Sequence, residues 1–143
     1  MRMAARRLTQ FYDAALAGEG VTVSQYSILA TIARAGATPP NVNALAETLA
    51  MDRSTLGHNL RPLARERLVA LVPDPDDRRN RRVSLTRAGA AKLAACRPIW
   101  DATQRRFDER FGREDSAALR RTLSFIARDL DLGEAAALRS PKA

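Results

Sequence analysis

The sequence Asp74-Pro-Asp-Asp-Arg-Arg-Asn-Arg-Arg-Val-Ser-Leu-Thr86 carries four arginines in a short turn. The turn lies between two short apolar segments, Leu68-Val-Ala-Leu-Val72 and Arg82-Val-Ser-Leu85, and it contains Pro75. Both segments are partly alternating and contain β-branched residues, so the pattern predicts a β-hairpin. Crowded guanidinium groups cannot contribute to a hydrophobic core, and a polyanion beside them relieves their mutual repulsion. The hairpin tip is therefore predicted to contact phosphate.

The segment before the hairpin predicts a helix with two different faces. Asp52 is a candidate N-cap, and the helical spacing continues toward Arg67. Pro62 lies inside the segment and predicts a kink or a tightened turn. The apolar face carries Leu56, Leu60 and Leu63, and the opposite, polar and basic face carries Ser54, His58, Arg61 and Arg65.

Three shorter helices are predicted upstream of this one. Apolar residues recur at helical spacing over residues 3–17, and a second helix begins after Thr22, which forms a capping box with Gln25. Residues 36–40 contain glycine and two prolines, which end that helix, and Asn41 is then a candidate cap for a short third helix.

A long helical arm is predicted after the hairpin. Thr86 or a neighbour caps it, and the helical spacing continues to Gly112, interrupted by Pro98. About 25 helical residues span about 37 Å, which is longer than a small domain requires, so we expect the arm to meet a partner. A final amphipathic helix then runs to about residue 131, and residues 132–143 are expected to form a flexible tail.

Composition favours a basic, intracellular, non-enzymatic protein. The 143 residues are enough for one domain, and 24 basic against 16 acidic residues give a net charge of +8, which favours nucleic acid or an acidic partner. The single cysteine excludes an internal disulfide and fits the cytoplasm, and no apolar run reaches the roughly 20 residues of a membrane helix. One histidine and one cysteine cannot form a typical zinc site, and no paired carboxylates or glycine-rich loop indicate catalysis. We therefore expect no enzyme activity, no metal and no cofactor.

The order of these elements, with a basic helix followed by a basic hairpin, resembles the MarR family of winged helix-turn-helix regulators. The resemblance covers nearly the whole chain. It is carried by Thr22-x-x-Gln25 with Leu29, Leu45-Ala46-x-x-Leu49, Met51-Asp52-Arg53-Ser54-Thr55-Leu56, Leu63, Leu68-Val69, Asp77-x-Arg79 and Val83-x-Leu85-Thr86-x-x-Gly89.

The resemblance implies a mainly α fold of the α+β class, with a single MarR-type domain over residues 1–143. Residues 22–86 would form the winged DNA-binding part, and residues 3–17 and 87–131 would form the dimerisation helices. The expected function is that of a homodimeric, sequence-specific regulator of transcription on a pseudo-palindromic operator, a repressor that a ligand releases. Almost nothing precedes the first helix here, whereas family members usually carry more, so either the dimer arm is trimmed or the start was assigned late.

The resemblance also assigns roles to the basic residues. In the hairpin, Asp77 would hold the Arg79 guanidinium so that it enters the minor groove and reads base edges. The remaining hairpin arginines, Arg78, Arg81 and Arg82, would contact phosphates. On the basic helix, the surface expected to meet DNA comprises Ser54, Thr55, His58 and Arg61, with Arg53 on phosphate.

Several alternatives stay open at this point. The hairpin charges could be a solvated loop neutralised by Asp74, Asp76 and Asp77, and His58 could be an ordinary solvated residue. Cys96 could be a redox switch, although an inert buried thiol is favoured. The fold could also be a protein-interaction module without DNA readout, but the basic helix face argues against it. A cavity for a small aromatic or phenolic effector could be lined by Phe11, Tyr12, Tyr26 and Trp100, for which core packing is the simpler interpretation.

Overall fold

Residues 1–128 form six α-helices and one antiparallel β-hairpin, and these are the residues that the computed structural model describes. In chain order the elements are α1 (Arg2–Leu16), a 3-10 turn (Ala17–Glu19), α2 (Val23–Arg34), α3 (Val42–Thr48), α4 (Arg53–Arg65), β1 (Val69–Pro73), β2 (Arg81–Leu85), α5 (Arg87–Phe111) and α6 (Arg113–Arg128). This order confirms the predicted mainly α, winged helix-turn-helix fold. The end of the last predicted helix and the predicted tail over residues 132–143 lie outside the described residues.

The starts of α2, α3 and α4 are fixed by side chains that satisfy free backbone N–H groups, as the sequence predicted. Thr22 and Gln25 form a complete capping box at the start of α2. The Asn41 side chain accepts from the backbone N–H of Ala44 at 2.9 Å, and the Asp52 carboxylate accepts from that of Thr55 at 2.8 Å. Each such cap contributes roughly 1 kcal/mol to an ordinary helix start.

Both internal prolines are accommodated without ending their helices. The α4 helix stays α-helical through Pro62, and the α5 helix is continuous through Pro98, so the predicted interruption at Pro98 is wrong. A proline removes one backbone donor, and the remaining turns on either side keep the helix together. The α4 helix ends at Arg65 rather than near Arg67 because Arg67 adopts a left-handed conformation with φ of 56°.

Residues 1–105 form one packing unit around a core shared by the winged part and the start of α5. The hairpin pairs Val69 with Leu85 and Pro73 with Arg81, which leaves Val83 fully buried against the helices. The most deeply buried large side chains of this unit are Leu16, Ile28, Leu29, Leu45, Leu56, Leu63, Val83 and Cys96. The predicted apolar face of α4 is confirmed, since Leu56, Leu60 and Leu63 are all buried.

The hairpin joins α5 through a tight backbone contact. Thr86 accepts from the backbone N–H of Gly89 at 3.0 Å, which confirms it as the cap of α5. The Thr86 hydroxyl donates to the carbonyl of Arg67 at 2.6 Å, and its N–H donates to that of Leu68 at 3.1 Å. Gly89 is buried directly against the Leu68 carbonyl, where a β-carbon would overlap it. Only glycine fits at this position.

The second unit begins at Arg106 and contains the end of α5 and α6. The rings of Phe107 and Phe111 stack with centroids 5.4 Å apart, and Arg120 forms an ion pair with Asp108 at 2.7 Å. Along α6, Leu123 and Phe125 remain about half exposed, at 45% and 52%.

Candidate nucleic-acid interface

The predicted contact face of α4 is exposed along the whole helix. The side chains of Arg53, Ser54, His58 and Arg61 are exposed, while the leucines behind them are buried. Thr55 is also exposed, but its hydroxyl donates to the Asp52 carboxylate at 2.7 Å. The hydroxyl and backbone N–H of Thr55 hold the pKa of Asp52 below its usual value. Thr55 therefore has a capping role that the sequence did not predict, and its hydroxyl retains only acceptor capacity.

The tip of the hairpin is a turn held by Asp77. The Asp77 carbonyl accepts from the N–H of Asn80 at 2.8 Å, and its carboxylate accepts from the backbone N–H of Arg79 at 3.0 Å. The carboxylate thus shapes the backbone of the turn, whereas the sequence predicted that it would hold the guanidinium. The three exposed arginines here, which we name the tip arginines, are Arg78, Arg79 and Arg81.

The fourth arginine of the hairpin has different surroundings. Arg82 Nε donates to Asp74 at 3.0 Å, and its Nη2 donates to Asp76 at 2.7 Å, leaving the side chain 27% exposed. The predicted phosphate contact of Arg82 thus competes with two carboxylates of the hairpin itself. The local neutralisation that the sequence left open occurs at this one arginine.

Asn41 and Asp74 were missed as members of the candidate site. Asp74 is buried and accepts from three donors: the backbone N–H of Asp76 at 3.1 Å, Arg82 Nε, and Asn41 Nδ2 at 3.2 Å. The N–H of Asp76 foremost, and then the Arg82 and Asn41 side chains, hold the pKa of Asp74 below its usual value. We name Asn41, Asp74, Asp76 and Arg82 the base network. No local sequence pattern links Asn41 to a residue 33 positions away.

Arginines from α4 and from the hairpin meet at one groove. A cavity of about 400 Å³ opens between the two elements, with an apolar floor and with Arg53, Arg61 and Arg81 among its lining residues. The other lining residues are Val42, Gly57, Leu60, Ala64 and Leu71. The arrangement concentrates positive charge where the helix and the hairpin face the same solvent region, which suits a polyanion.

The four aromatic residues of the predicted effector cavity come together in the structure. Trp100 stacks on Tyr12 and on Tyr26, with centroids 4.8 and 4.7 Å apart, and Phe11 packs edge-on against Tyr12 at 5.3 Å. The Tyr12 hydroxyl donates to Gln104 at 2.9 Å. Burial raises the pKa of Tyr26, so this phenol stays neutral. The rings therefore pack on one another between α1, α2 and α5.

Cys96 is fully buried in the core of the first unit. Burial raises the pKa of its thiol, with the nearby Glu19 carboxylate adding to the increase. A protonated, inaccessible thiol reacts slowly with oxidants because the thiolate is the reactive form. Burial favours an inert thiol, and the lack of redox activity stays a prediction.

Among residues 1–128, no cluster of three or more histidine, cysteine or acidic side chains is arranged to hold a metal ion. In the same part of the chain, no helix is both long and apolar enough to cross a bilayer.

Comparison with known proteins identifies the family. The sequence profile of the MarR family matches residues 19–80. The transcriptional regulator MosR of M. tuberculosis, solved in complex with DNA, is 33% identical, with 89% of this chain and 90% of that chain covered and a TM-score of 0.78. The chain belongs to the MarR family of transcriptional regulators. Membership confirms the predicted DNA-binding winged-helix class, in which the fold serves regulation of transcription and not catalysis.

Two other proteins of transcriptional control are also similar to this chain. The transcriptional repressor CouR, bound to a 23-mer DNA duplex, is 29% identical, covers 89% of each chain and has a TM-score of 0.78. The transcriptional activatory protein BadR of Rhodopseudomonas palustris is 33% identical over 88 residues, which are 61% of this chain. The match covers 46% of BadR, so the chain corresponds to about half the length of that relative.

Proposed function

We propose that this MarR-family protein is a homodimeric, sequence-specific regulator that binds a pseudo-palindromic operator through α4 and the hairpin. The observation that carries the proposal is the groove at which arginines of both elements converge. Residues 22–86 would form the DNA-binding part, and residues 3–17 and 87–131 the dimerisation helices. MosR and CouR, which are 33% and 29% identical to this chain, were solved in complex with DNA, and these complexes support the proposed binding of DNA.

The exposed side chains divide into positioning and reading roles. Ser54, His58 and Arg61 lie on the open face of α4 and would enter the major groove, where base edges can be distinguished. Arg79, at the tip of the hairpin, would enter the adjacent minor groove. The phosphate contacts would come from Arg53, Arg78 and Arg81, which supply affinity without sequence information.

The homodimer is supported by apolar surface on the terminal helices. Met3 of α1 is 77% exposed, and Phe111, Leu123 and Phe125 of the second unit are about half exposed. These apolar side chains are available to pack against a second copy of the chain. A two-fold dimer would present two copies of α4 about 34 Å apart, one turn of the duplex.

We further propose that a small aromatic or phenolic ligand controls DNA binding, and that the protein represses transcription when no ligand is bound. The aromatic cluster between α1, α2 and α5 lies where such a ligand could exchange stacking partners with Trp100. CouR is a repressor, whereas BadR is an activatory protein, so the direction of control needs its own measurement. A screen of phenolic acids by thermal shift, followed by release of bound DNA, tests both the ligand and its effect.

The DNA proposal is tested with a duplex enriched from a random library by the wild-type protein. We expect the enriched sequences to share an inverted repeat. The logarithm of the binding constant should fall linearly with the logarithm of the salt concentration, with a slope of about −0.9 per neutralised phosphate. Arg79→Ala should weaken binding to the enriched duplex more than to a shuffled duplex of the same composition. Arg78→Ala, the matched control, should weaken both alike. Absence of any enriched sequence, or salt-insensitive binding, would refute the proposal.

A further inference from the structure

We propose that Arg82 is a positioning residue, which fixes the hairpin against the start of α3 so that the tip arginines meet DNA in a set orientation. The inference rests on the proposed binding of DNA by α4 and the hairpin. It replaces the phosphate contact that the sequence predicted for this residue.

The first observation is that Arg82 is already paired with two carboxylates of the hairpin. Its Nε and Nη2 atoms donate to Asp74 and Asp76, at 3.0 and 2.7 Å. These two carboxylates and one guanidinium carry a net formal charge of −1, so Arg82 attracts a phosphate less than an unpaired arginine would. A phosphate contact would have to compete with both ion pairs.

The second observation is that Asp74 cannot lose its partner without cost. Its side chain is 3% exposed, and its oxygens are occupied by donors from three residues. A buried carboxylate is tolerated only when it is paired and hydrogen-bonded, and removal of one partner leaves an uncompensated charge. Arg82 is the only cation among those donors, so turning it toward DNA would leave the buried charge of Asp74 uncompensated.

The third observation is that the network ends on α3. One end of the Asn41 amide caps α3 by accepting from Ala44, and the other end donates to Asp74. The backbone beside it pairs with the hairpin as well, because the N–H of Val83 donates to the carbonyl of Pro40 at 2.9 Å. A bridge between Asn41 and Arg82 continues this pairing. The first turn of α3 and strand β2 are thus joined by side chains and by backbone.

These contacts attach the hairpin to the segment before α3 at the base of the turn, where the two strands end, and they leave the tip arginines exposed. If the base network breaks, the tip arginines keep their charge but lose their common orientation relative to α4. Sequence-specific binding should then weaken, while the number of phosphates neutralised should change little. This separation of orientation from charge is what the experiment measures.

The first test compares Arg82→Gln with Arg82→Lys on the enriched duplex described above. We expect both to weaken binding by about tenfold, because neither reproduces the paired donation to Asp74 and Asp76. The slope of log affinity against log salt should equal that of the wild type. If Arg82 instead contacts phosphate, the lysine variant should retain most of the affinity, and the glutamine variant should lower the slope by about 0.9. That pattern would overturn the inference.

The second test uses Asn41→Ser, which keeps an N-cap but is too short to reach Asp74. It should lower the affinity for the enriched duplex with the wild-type salt slope. The temperature of unfolding should fall only modestly, because Asp74 keeps its donors from Arg82 and Asp76. In a double-mutant cycle, Asn41→Ser and Arg82→Gln should be less than additive, because both break one network. Additive losses, or an unchanged affinity in Asn41→Ser, would contradict the inference. If Arg82→Gln does not fold, Asn41→Ser decides by itself.

Failure of this inference and failure of the proposed function give different results. If the wild type enriches no duplex, the DNA proposal fails before any variant is compared. If it enriches one and Arg79→Ala weakens it as expected, the DNA proposal stands whatever the base-network variants do.

Discussion

The tip and the base of the hairpin contain the same residue type in opposite environments. The tip arginines are exposed, whereas Arg82 is held by two carboxylates, one of them buried. Of these four neighbouring arginines, three are therefore available to bind a ligand, and Arg82 holds the hairpin together. A run of positive charge in a sequence therefore predicts a charged surface, but it does not show which of the side chains a ligand can reach.

The largest expected effect removes the anchorage of the hairpin to α5. Gly89→Ala places a β-carbon against the carbonyl of Leu68 and should lower the free energy of unfolding by about 3 kcal/mol or more. Chemical denaturation of the full chain measures it. Gly57→Ala is the matched control, since a β-carbon there meets no atom within 4 Å, and it should stabilise α4 by about 0.5–1 kcal/mol. Equal stability of the two variants would show that the hairpin is not anchored in this way.

The next effect breaks the tip and leaves the base intact. Arg79→Ala should lower affinity for the enriched duplex by about tenfold to a hundredfold, since losing the readout of one base pair typically costs about 1–3 kcal/mol. Its unfolding temperature should match that of the wild type because the side chain is exposed. Fluorescence anisotropy and thermal unfolding measure the two quantities. If Arg79→Ala unfolds at a lower temperature than the wild type, the Arg79 side chain also stabilises the fold.

A smaller effect comes from pH, because the folded protein holds the pKa of Asp74 in the base network below its usual value. The pKa of Asp74 is lowered in the folded protein from its usual 3.8, so the unfolded chain binds protons more readily. The stability that Asp74 contributes is present above that value and is lost as pH falls through the lower, folded pKa. Unfolding temperatures at constant ionic strength should therefore drop below about pH 4.

Asp74→Asn supplies the control for this titration. In this variant the unfolding temperature should fall less steeply below about pH 4 than in the wild type. Some fall should remain, because the pKa values of Asp52 and Asp108 are lowered as well. If the unfolding temperature of Asp74→Asn falls as steeply with decreasing pH as that of the wild type, protonation of Asp74 does not contribute to acid unfolding.

The smallest effect is expected from a conservative change at the tip. Arg81→Lys keeps the charge at an exposed position beside the groove, and a phosphate accepts a lysine as a point charge. Affinity for the enriched duplex should change by less than about threefold. A tenfold loss would indicate paired hydrogen bonds from Arg81 and would move it from the phosphate contacts to the reading residues.

Sequence patterns located the elements well because the signals involved are local. The caps Thr22, Asn41 and Asp52 act over three residues, and the leucines of α4 follow the helical period. The base network was not foreseeable in this way, because Asn41 and Asp74 meet only after α3, α4 and β1 have packed. Pro98 was misjudged for a related reason, since its neighbours in α5 hold the helix through it.

In the candidate site, too, the features that depend on local sequence were predictable and those that depend on tertiary contacts were not. The exposed face of α4 followed from helical periodicity, and the exposed tip followed from the turn. The sequence could not show how each carboxylate of the hairpin is used. Asp77 shapes a backbone turn, Asp74 is buried under Arg82, and Asp76 is exposed beside it. These roles depend on distances that adjacent acidic residues in a sequence do not reveal.

The stacked rings of Tyr12, Trp100 and Tyr26 have an optical consequence. Trp100 is the only tryptophan in the chain, so its emission reports a single environment. Its two stacking partners belong to α1 and α2, and its own ring belongs to α5. Any separation of these three helices changes the wavelength and intensity of one fluorophore. The protein therefore carries a built-in label for events in this unit, and no dye is needed to follow them.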